Sequence, residues 1–328
     1  MTTLSKLACA TGAAVLLTWL SPQSAPAAEW PDRPVRIVAP FGAGGSSDRF
    51  GRLIAKHLSA AFGQQFFVEN RPGAAGATGS LQVARSNPDG YTLLISGTAP
   101  HITGPLTNAD IGYDPIRDFT HIAMIGGDSY LFAANAALGV RSMAELITRA
   151  RDGSISISCG SPGTGTIGHL MVDQLRSKLG LKNLNHVPYR GGGPLATDLL
   201  GNHVSTAAIA TVSAIEHVRV GTIVPLAVAS DDRLATLKDI PTLAELGHAD
   251  VGGSTWIWVS GPPKLPADIV TRINNEVRKF IGSPEMRRHF ERDALLSKDF
   301  DSAQLTRFID DERNRWRAAI ATAGISTK

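Results

Sequence analysis

Short β-rich segments alternate with amphipathic helical segments along the first third of the chain. Residues 35–39 predict a strand, and the apolar positions that follow recur with the spacing of one helix face. These apolar positions are Phe50, Leu53, Ile54, Leu58 and Ala61. Gly63 predicts the end of this helix, and further strands are predicted at 65–68 and 91–95. This alternation is typical of an α/β fold in which helices cover a mainly parallel sheet.

The same alternation repeats further along the chain. Strands are predicted at 130–135, 154–159, 186–188, 205–209, 223–229 and 256–260. Helices are predicted at 142–151, 166–179, 194–200, 267–281, 284–292 and 302–323. Two such sets in a chain of 328 residues predict two connected lobes, each an α/β unit, rather than one small domain.

The N-terminal segment predicts export. Lys6 precedes an apolar run over 7–20, and the small-residue triplet Ala25-Pro26-Ala27 follows. A run of fourteen residues spans about 21 Å as a helix, which is short of the roughly 30 Å of a bilayer core. We therefore interpret residues 1–27 as a signal peptide cleaved near Ala27, and we expect the mature chain to lie in the periplasm.

Charge and cysteine usage exclude several classes of function. The net charge is only +3 and no run of five like charges occurs, so we expect no nucleic-acid partner. Cys9 would leave with the signal peptide, and Cys159, at the end of a predicted strand, is interpreted as a buried side chain rather than a nucleophile. The histidines lack the spacing of a zinc motif, so neither a metal nor a cofactor is predicted.

Two glycine-rich loops, at 41–48 and 160–168, each join a predicted strand to a predicted helix. Glycine allows close backbone approach, and the unpaired N–H groups at a helix start bind anions without any lysine or arginine. Two such loops facing each other would hold two carboxylates of one small molecule. The alternative is that these glycines only turn the chain.

The candidate ligand-binding residues come from these two loops and their surroundings. They are Phe41, Ala43, Gly44, Gly45, Ser46, Asp48, Ser161, Gly163, Thr164, Gly165, Thr166, His169, Arg190, Gly191 and Gly192. For His169 the favoured interpretation is a structural histidine rather than a ligand contact, whereas Arg190 is equally interpretable as a surface cation beside a flexible turn.

The chain lacks the complete sequence motifs that the enzymatic alternatives require. Gly163, Gly165 and Gly168 match a dinucleotide-binding pattern, and Arg190 near the end of the next strand would suit a 2′-phosphate. The cofactor with this phosphate is NADP, and an exported protein rarely meets free NADP. No lysine follows the glycines as a phosphate-binding loop requires, and no G-x-S-x-G elbow occurs. We therefore expect that the protein is not an enzyme.

Spaced motifs along nearly the whole mature chain resemble the Bug family, the extracytoplasmic solute-binding proteins of tripartite tricarboxylate transporters. The motifs lie at 30–38, 40–48, 68–74, 88–94, 113–119, 161–170, 186–189, 197–201 and 240–242. The resemblance implies a two-lobed periplasmic-binding-protein fold of type II-like architecture with a cleft between the lobes. Residues 28–130 plus 253–328 would form lobe 1, and residues 131–252 would form lobe 2.

The resemblance also implies how the ligand is held and what receives it. Backbone amides and ordered waters of the loop at 41–48 would hold one carboxylate, and the loop at 161–166, with the turn at 190–192, would face the other end. A monomeric receptor would then present a small organic mono- or dicarboxylate to membrane permease subunits.

Three departures from the family pattern bear on the ligand. The strand after Val204 reads Ser205 to Ile209 without an acid, where amino-acid-binding relatives place one, so we expect a carboxylate without an amino group. Trp258 replaces a small residue and is expected either to narrow the pocket or to favour a flat acid. The loop after His101 also differs. Two rivals stay open: a ligand-sensing partner of a membrane receptor kinase, and an exported enzyme using His169 and Arg190.

Overall fold

The computed structural model describes residues 29–153, 155–181, 183–230 and 232–322. The predicted signal peptide lies outside this part of the chain. The strands are β1 (Val35–Ala39), β2 (Phe66–Asn70), β3 (Thr92–Gly97), β4 (Thr120–Asp128), β5 (Tyr130–Asn135), β6 (Ile157–Ser161), β7 (Leu184–Pro188), β8 (Thr206–Ala210), β9 (Ile223–Val228), β10 (Thr255–Gly261) and β11 (Leu295–Leu296).

The helices follow the predicted alternation. They are α1 (Ser46–Phe62), α2 (Ala77–Ala84), α3 (Gly104–Thr107), α4 (Met143–Arg151), α5 (Ile167–Leu179), α6 (Gly192–Leu200), α7 (Thr211–Arg219), α8 (Ala267–Ile281), α9 (Pro284–Asp293) and α10 (Ser302–Thr322). Within the described residues, no helix combines the length and the apolar character needed to cross a membrane.

The strands form two sheets with helices packed around them. The first has the order β11-β4-β10-β3-β1-β2, and the second has the order β7-β6-β8-β5-β9. In the first sheet β1 is parallel to β2 and β3, whereas β10 is antiparallel to β3 and β4. In the second sheet β6 is parallel to β7 and β8, whereas β5 is antiparallel to β8 and β9.

The two-lobed α/β fold is confirmed, but each sheet is mixed rather than mainly parallel. Apart from the two-residue β11, the strands that run against their neighbours are those by which the chain changes sheets: Ser129 alone separates β4 from β5, and β10 returns between β3 and β4. A parallel neighbour needs a crossover connection, usually a helix, and these strands arrive from the other sheet without one. The lobe boundaries at 28–130 plus 253–328 and at 131–252 stay a prediction.

Apolar side chains on both faces of the sheets form the cores. One cluster joins β1, β3, β4 and β10 to α1, α8 and α9. Another joins β5, β6 and β8 to α4 and α5, and includes Cys159, which is fully buried. Burial raises the pKa of the Cys159 thiol to about 12, so this side chain has no thiolate character at neutral pH.

Besides the short elements α3 and β11, two elements have no counterpart among the predicted segments. β4 is buried on both faces over nearly its whole length, so its apolar residues do not show the alternation that predicts a strand. Its Gly126 and Gly127 are residues that favour a turn in the sequence pattern. α7 begins without a side-chain cap, and its β-branched residues Thr211 and Val212 favour a strand on propensity alone. Both elements border the cleft described below.

Candidate functional site

A cleft lies where strand ends of the two sheets face each other. β1, β3, β6 and β8 present their carboxyl ends to it, while β5 and β10 present their amino ends. In open α/β sheets, ligands bind outside the carboxyl ends of the strands. The strand ends therefore place the glycine-rich loops of both sheets at the same point.

The first loop, 41–48, connects β1 to α1 and is held from within by Asp48. Its carboxylate accepts a hydrogen bond from the Gly44 amide at 3.0 Å and pairs with Arg52 at 2.9 Å. Burial alone would raise the pKa of Asp48, but the hydrogen bonds from Arg52 and Gly44 outweigh it and hold that pKa below its usual value. Asp48 thus stays ionised and fixes the loop, and Gly44 takes the positive φ of 82° that this turn requires.

The second loop, 161–166, connects β6 to α5 and is held by histidines. Ser161 Oγ lies 2.7 Å from His186 Nε2, and the Gly165 amide donates to His169 Nδ1 at 3.1 Å. His169 Nδ1 therefore accepts, so Nε2 carries the proton that faces Asp173 at 3.0 Å. Burial lowers the pKa of His186 to about 4.

The bond between Ser161 and His186 resembles the serine–histidine pair of a hydrolase, but its surroundings do not suit that use. Ser161 is fully buried and lines neither cavity of the cleft. A nucleophile must reach its substrate, so this pair anchors the loop.

A cavity of about 50 Å³ lies between the loops. Its lining residues are Phe41, Gly45, Ser46, Ser47, Gly97, Thr98, Ala99, Pro100, Tyr130, Pro162, Thr166, Gly192, Ala210, Ser213, Thr255 and Ile257. None of these residues carries a charged side chain. Burial raises the pKa of Tyr130, so its phenol keeps its proton and can donate a hydrogen bond.

Helix starts surround this cavity. α1, α6 and α7 begin at Ser46, Gly192 and Thr211, and in none of the three does the side chain of the N-cap residue cap the helix. In α7 the Val212 amide instead approaches the Asp128 carboxyl group at 3.4 Å. α5 begins beside the same cavity but is capped by the Thr166 hydroxyl, which accepts from the His169 amide. Uncapped helix starts leave backbone N–H groups free for a ligand. The Ser213 hydroxyl, in the first turn of α7, is buried with no hydrogen-bond partner among the described residues.

A second cavity, of about 200 Å³, adjoins the first, because Phe41 and Pro162 line both. The remaining lining comes from 73–76, 163–164 and 188–190. Arg190 supplies the one charged side chain in this lining. The pair of cavities therefore combines an uncharged compartment with a compartment that offers one guanidinium.

The loops also touch across the cleft. The Gly42 amide donates to the Arg190 carbonyl at 2.8 Å, and Thr103 Oγ1 donates to the Gly165 carbonyl at 2.6 Å. A side chain at Gly193 would place its Cβ 1.8 Å from the Ala43 carbonyl oxygen. These contacts define a closed cleft, and they require glycine at 193.

The predicted site residues divide by position. Those lining the first cavity are Phe41, Gly45, Ser46, Thr166 and Gly192, and those lining the second are Phe41, Gly163, Thr164 and Arg190. Ala43, Gly44 and Gly191 lie at the contact between the loops, because Gly191 approaches Gly42 and Gly193 approaches Ala43 and Gly44. Asp48, Ser161, Gly165 and His169 line neither cavity and instead hold the loops in place.

Trp258 lies in the core rather than in the cleft. It is fully buried, and its indole N–H donates to His121 Nδ1 at 3.2 Å. The strand alternation of β10 directs Thr255 and Ile257 to the cavity and turns Trp258 to the opposite face. Neither a narrowed pocket nor a preference for flat acids follows from this residue.

Several cavity residues have no counterpart among the predicted ones. They include Ser47, Thr98, Pro100, Tyr130, Ser213 and Thr255. The available signal was their position at strand ends facing the same edge as the glycine-rich loops. Ser213 lies in the first turn of α7, so its position could be inferred only once that helix was predicted.

Within the described residues, no group of three or more histidine, cysteine, aspartate or glutamate side chains is arranged to hold a metal ion. The chemistry that the cleft offers is hydrogen bonding from backbone amides, hydroxyl groups and the Arg190 side chain.

The fold and the closed cleft define a two-lobed solute-binding protein. The chain belongs to the family described as the tripartite tricarboxylate transporter family receptor, whose model matches residues 50–325. This confirms the resemblance to the Bug family, a transport family of solute-binding proteins.

Related proteins match the chain over most of its length. It is 31% identical to Protein BugT of Bordetella pertussis over 302 residues, which cover 91% of this chain and 92% of the other. The solved structure of R. palustris Rpa4515 with adipate superposes with a TM-score of 0.86 at 32% identity, covering 91% of this chain and 99% of that one. The periplasmic binding protein BugD also gives a TM-score of 0.86, at 27% identity, covering 91% of this chain and all of BugD.

Proposed function

We propose that this chain is a periplasmic receptor that captures a small organic carboxylate in the cleft and delivers it to the permease subunits of a tripartite tricarboxylate transporter. One observation carries the proposal: three helix starts, none of them capped by the side chain of its own N-cap residue, meet at a cavity that no charged side chain lines. The receptor binds and releases its ligand without chemical turnover, it is monomeric, and its signal peptide is removed near Ala27.

Uncapped helix starts favour an anion for two physical reasons. Each leaves up to four backbone N–H groups unsatisfied, and the aligned peptide dipoles place roughly half a positive charge there. Two of the three helices, α6 and α7, belong to the second sheet's side, while α1 belongs to the first. An anion that contacts all three is bound fully only when the cleft is shut, so its binding energy favours the closed state.

The lining of both cavities indicates an acid without an amino group. Neither cavity is lined by aspartate or glutamate, so a ligand ammonium group would be buried without a counter-charge. The related Rpa4515 is described with adipate, a dicarboxylate without an amino group. We propose the same class of ligand for this chain.

The second cavity supports a dicarboxylate as the longer ligand. One carboxylate would occupy the first cavity, the carbon chain would pass Phe41 and Pro162, and the distal carboxylate would meet Arg190. A monocarboxylate would use the first cavity alone.

The experiment has two parts. Native mass spectrometry of the purified protein identifies any small molecule that stays bound. Thermal shift and titration calorimetry against a panel of mono- and dicarboxylates, adipate and malate included, with the matching amino acids as controls, measure affinity. We expect stabilisation by one or more carboxylates. Amino acids as the strongest ligands, or conversion of a bound acid into a product, would contradict the proposal.

A further inference from the structure

Asp128 is a buried carboxyl group at the point where the chain passes from the first sheet to the second. It is the last residue of β4, and its side chain is completely shielded from solvent. Ser46 Oγ donates to Asp128 Oδ2 at 2.9 Å, and the Val212 amide approaches both carboxyl oxygens at a long 3.4 Å. Within the described residues Asp128 forms no salt bridge, and a buried carboxylate without one is costly.

The charges around Asp128 only partly compensate its burial. Arg49 on α1 favours the ionised form and Asp293 on α9 opposes it, while Asp293 is itself paired with Arg292 and faces His289. Tyr130 on β5 stays protonated, and α7 directs the Val212 amide and its positive N-terminal end at Asp128, which also favours the ionised form. Burial is the largest influence and raises the pKa of Asp128 to about 7, so both protonation states are populated near neutral pH.

The cavity lies immediately beyond the groups that contact Asp128. Ser46, which donates a hydrogen bond to Asp128, lines that cavity. Tyr130, two residues after Asp128 in the chain, and Ser213, the residue after Val212, line it as well. A negative charge on Asp128 would therefore lie directly behind the wall of a site proposed to hold an anion. Two like charges at this separation, away from water, destabilise each other.

We propose that Asp128 takes up a proton when a carboxylate enters the cleft, and that the Ser46 hydroxyl transmits this change to the ligand. The proposal rests on the carboxylate-binding function proposed above.

The hydroxyl of Ser46 changes its role with the state of Asp128. Beside an ionised Asp128, Ser46 gives its hydrogen to the carboxylate, and only oxygen lone pairs are left for the cavity. A protonated Asp128 donates its own hydrogen to Ser46 Oγ, and the Ser46 hydrogen is free to bond the ligand. Overall, one proton moves from solvent to one Asp128 oxygen, and no other covalent bond forms or breaks.

Linkage makes the effect reciprocal. If ligand binding favours protonated Asp128, protonation strengthens ligand binding by the same factor. Affinity then falls as the pH rises above the pKa of Asp128, by up to about tenfold per pH unit for a single coupled proton. Below that pKa, the affinity levels off.

The test is titration calorimetry on the full mature chain, with the carboxylate of highest affinity in the panel, between pH 6.5 and 8.5. Two buffers of different ionisation enthalpy report the number of protons bound. We expect uptake approaching one proton near pH 8 and an affinity that decreases with pH. Asp128→Asn, which preserves size and shape, should remove both the uptake and the pH dependence.

Two serine variants separate the relay from simple repulsion. Ser46→Ala should still take up the proton but should lose several-fold in affinity at pH 6.5, because the donor is gone. Ser47→Ala, at a neighbouring cavity position without a bond to Asp128, should keep the wild-type pH dependence. Thermal melts show that each variant is folded, and a Ser46→Ala protein with wild-type affinity at pH 6.5 would exclude the relay.

The outcomes distinguish this inference from the proposed function. A carboxylate that binds with the same pH dependence to the wild type and to Asp128→Asn, or with none in the wild type, overturns the inference and leaves the receptor function intact. An affinity that rises with pH would show that an ionised Asp128 assists the ligand, which also overturns it. If no carboxylate binds, both fail together.

Discussion

The two glycine-rich loops perform the same task with opposite chemistry. The first is fixed by an ionised carboxylate, because Asp48 accepts the Gly44 amide and pairs with Arg52. The second is fixed by neutral imidazoles, because His169 accepts the Gly165 amide and His186 bonds Ser161. The first anchor keeps its charge at any pH above the acid range, whereas the second includes His186, whose lowered pKa of about 4 keeps it unprotonated over that range.

In the proposed function the loops, and not their anchors, would meet the ligand. Asp48, His169 and His186 line neither cavity, so a solute in the cleft would not contact the anchor side chains. What both loops present to the first cavity is backbone and hydroxyl groups. A near-neutral protein can in this way recognise an anion without a cluster of cationic side chains.

The largest expected effect is at the contact between the two loops. Gly193→Ala would place a Cβ 1.8 Å from the Ala43 carbonyl, so the cleft could no longer close. Overpacking of this kind costs about 1–3 kcal/mol, and we expect ligand affinity to fall by at least about tenfold. Calorimetry measures it, with Gly282→Ala as the matched control, since a Cβ there meets only ordinary contacts. An unchanged affinity in Gly193→Ala would mean that binding does not require this closed state.

A smaller effect is expected inside the first loop. Gly45 has an extended backbone that any residue adopts, and a Cβ there would lie 3.3 Å from the Gly192 amide. Gly45→Val should therefore fold normally but fill the space between the starts of α1 and α6, reducing affinity by about tenfold. Gly45→Ala should lose less. Equal affinities for the wild type and the valine variant would remove this loop from the site.

Acid should weaken the second loop's anchor before the first. Burial lowers the pKa values of His186 and His121 to about 4, whereas the ordinary value of 6.5 applies in the unfolded chain. Between pH 4 and pH 6.5 the unfolded chain therefore binds more protons than the folded chain. The free energy of unfolding should thus fall as the pH decreases from 6.5 to 4. Denaturant titrations of the wild type and His186→Gln measure it. The variant should show a shallower dependence, and identical slopes would exclude His186 as an acid-sensitive anchor.

The smallest effect is expected at the exposed end of the cleft. Arg190 is solvent-exposed, and exposed ion pairs contribute about 0.2–1 kcal/mol. Arg190→Ala should weaken dicarboxylate binding by two- to fivefold and leave monocarboxylate binding unchanged. Calorimetry on one acid of each kind makes the comparison. An equal loss for both would mean that Arg190 acts on the loops rather than on a distal carboxylate.

Sequence patterns located the loops and named Asp48, Ser161 and His169, but as ligand-binding residues rather than as anchors, and they did not find His186 or Asp128. The glycines, the strand before each loop and the helix after it are adjacent in the chain, so local rules found them. Ser161 and His186 are 25 residues apart, and Ser46 and Asp128 are 82 apart, so only the folded sheets bring them together. α7 was missed because its first residues favour a strand locally, and packing overrides that preference.

The antiparallel strands were missed for a related reason. The direction of β5 and β10 depends on the chain changing sheets at Ser129 and again before Thr255, and no residue pattern near those points marks it. The position of Trp258 follows from the same strand, because the face of β10 that meets the cleft is set by its pairing with β3 and β4.

The central claim is that backbone amides at helix starts hold the ligand. A crystal structure of the mature protein with the carboxylate of highest affinity tests it most directly. The account predicts carboxylate oxygens within hydrogen-bond distance of backbone N–H groups at the starts of α1, α6 and α7. A ligand held mainly by lysine or arginine side chains, or bound outside the cleft, would contradict it.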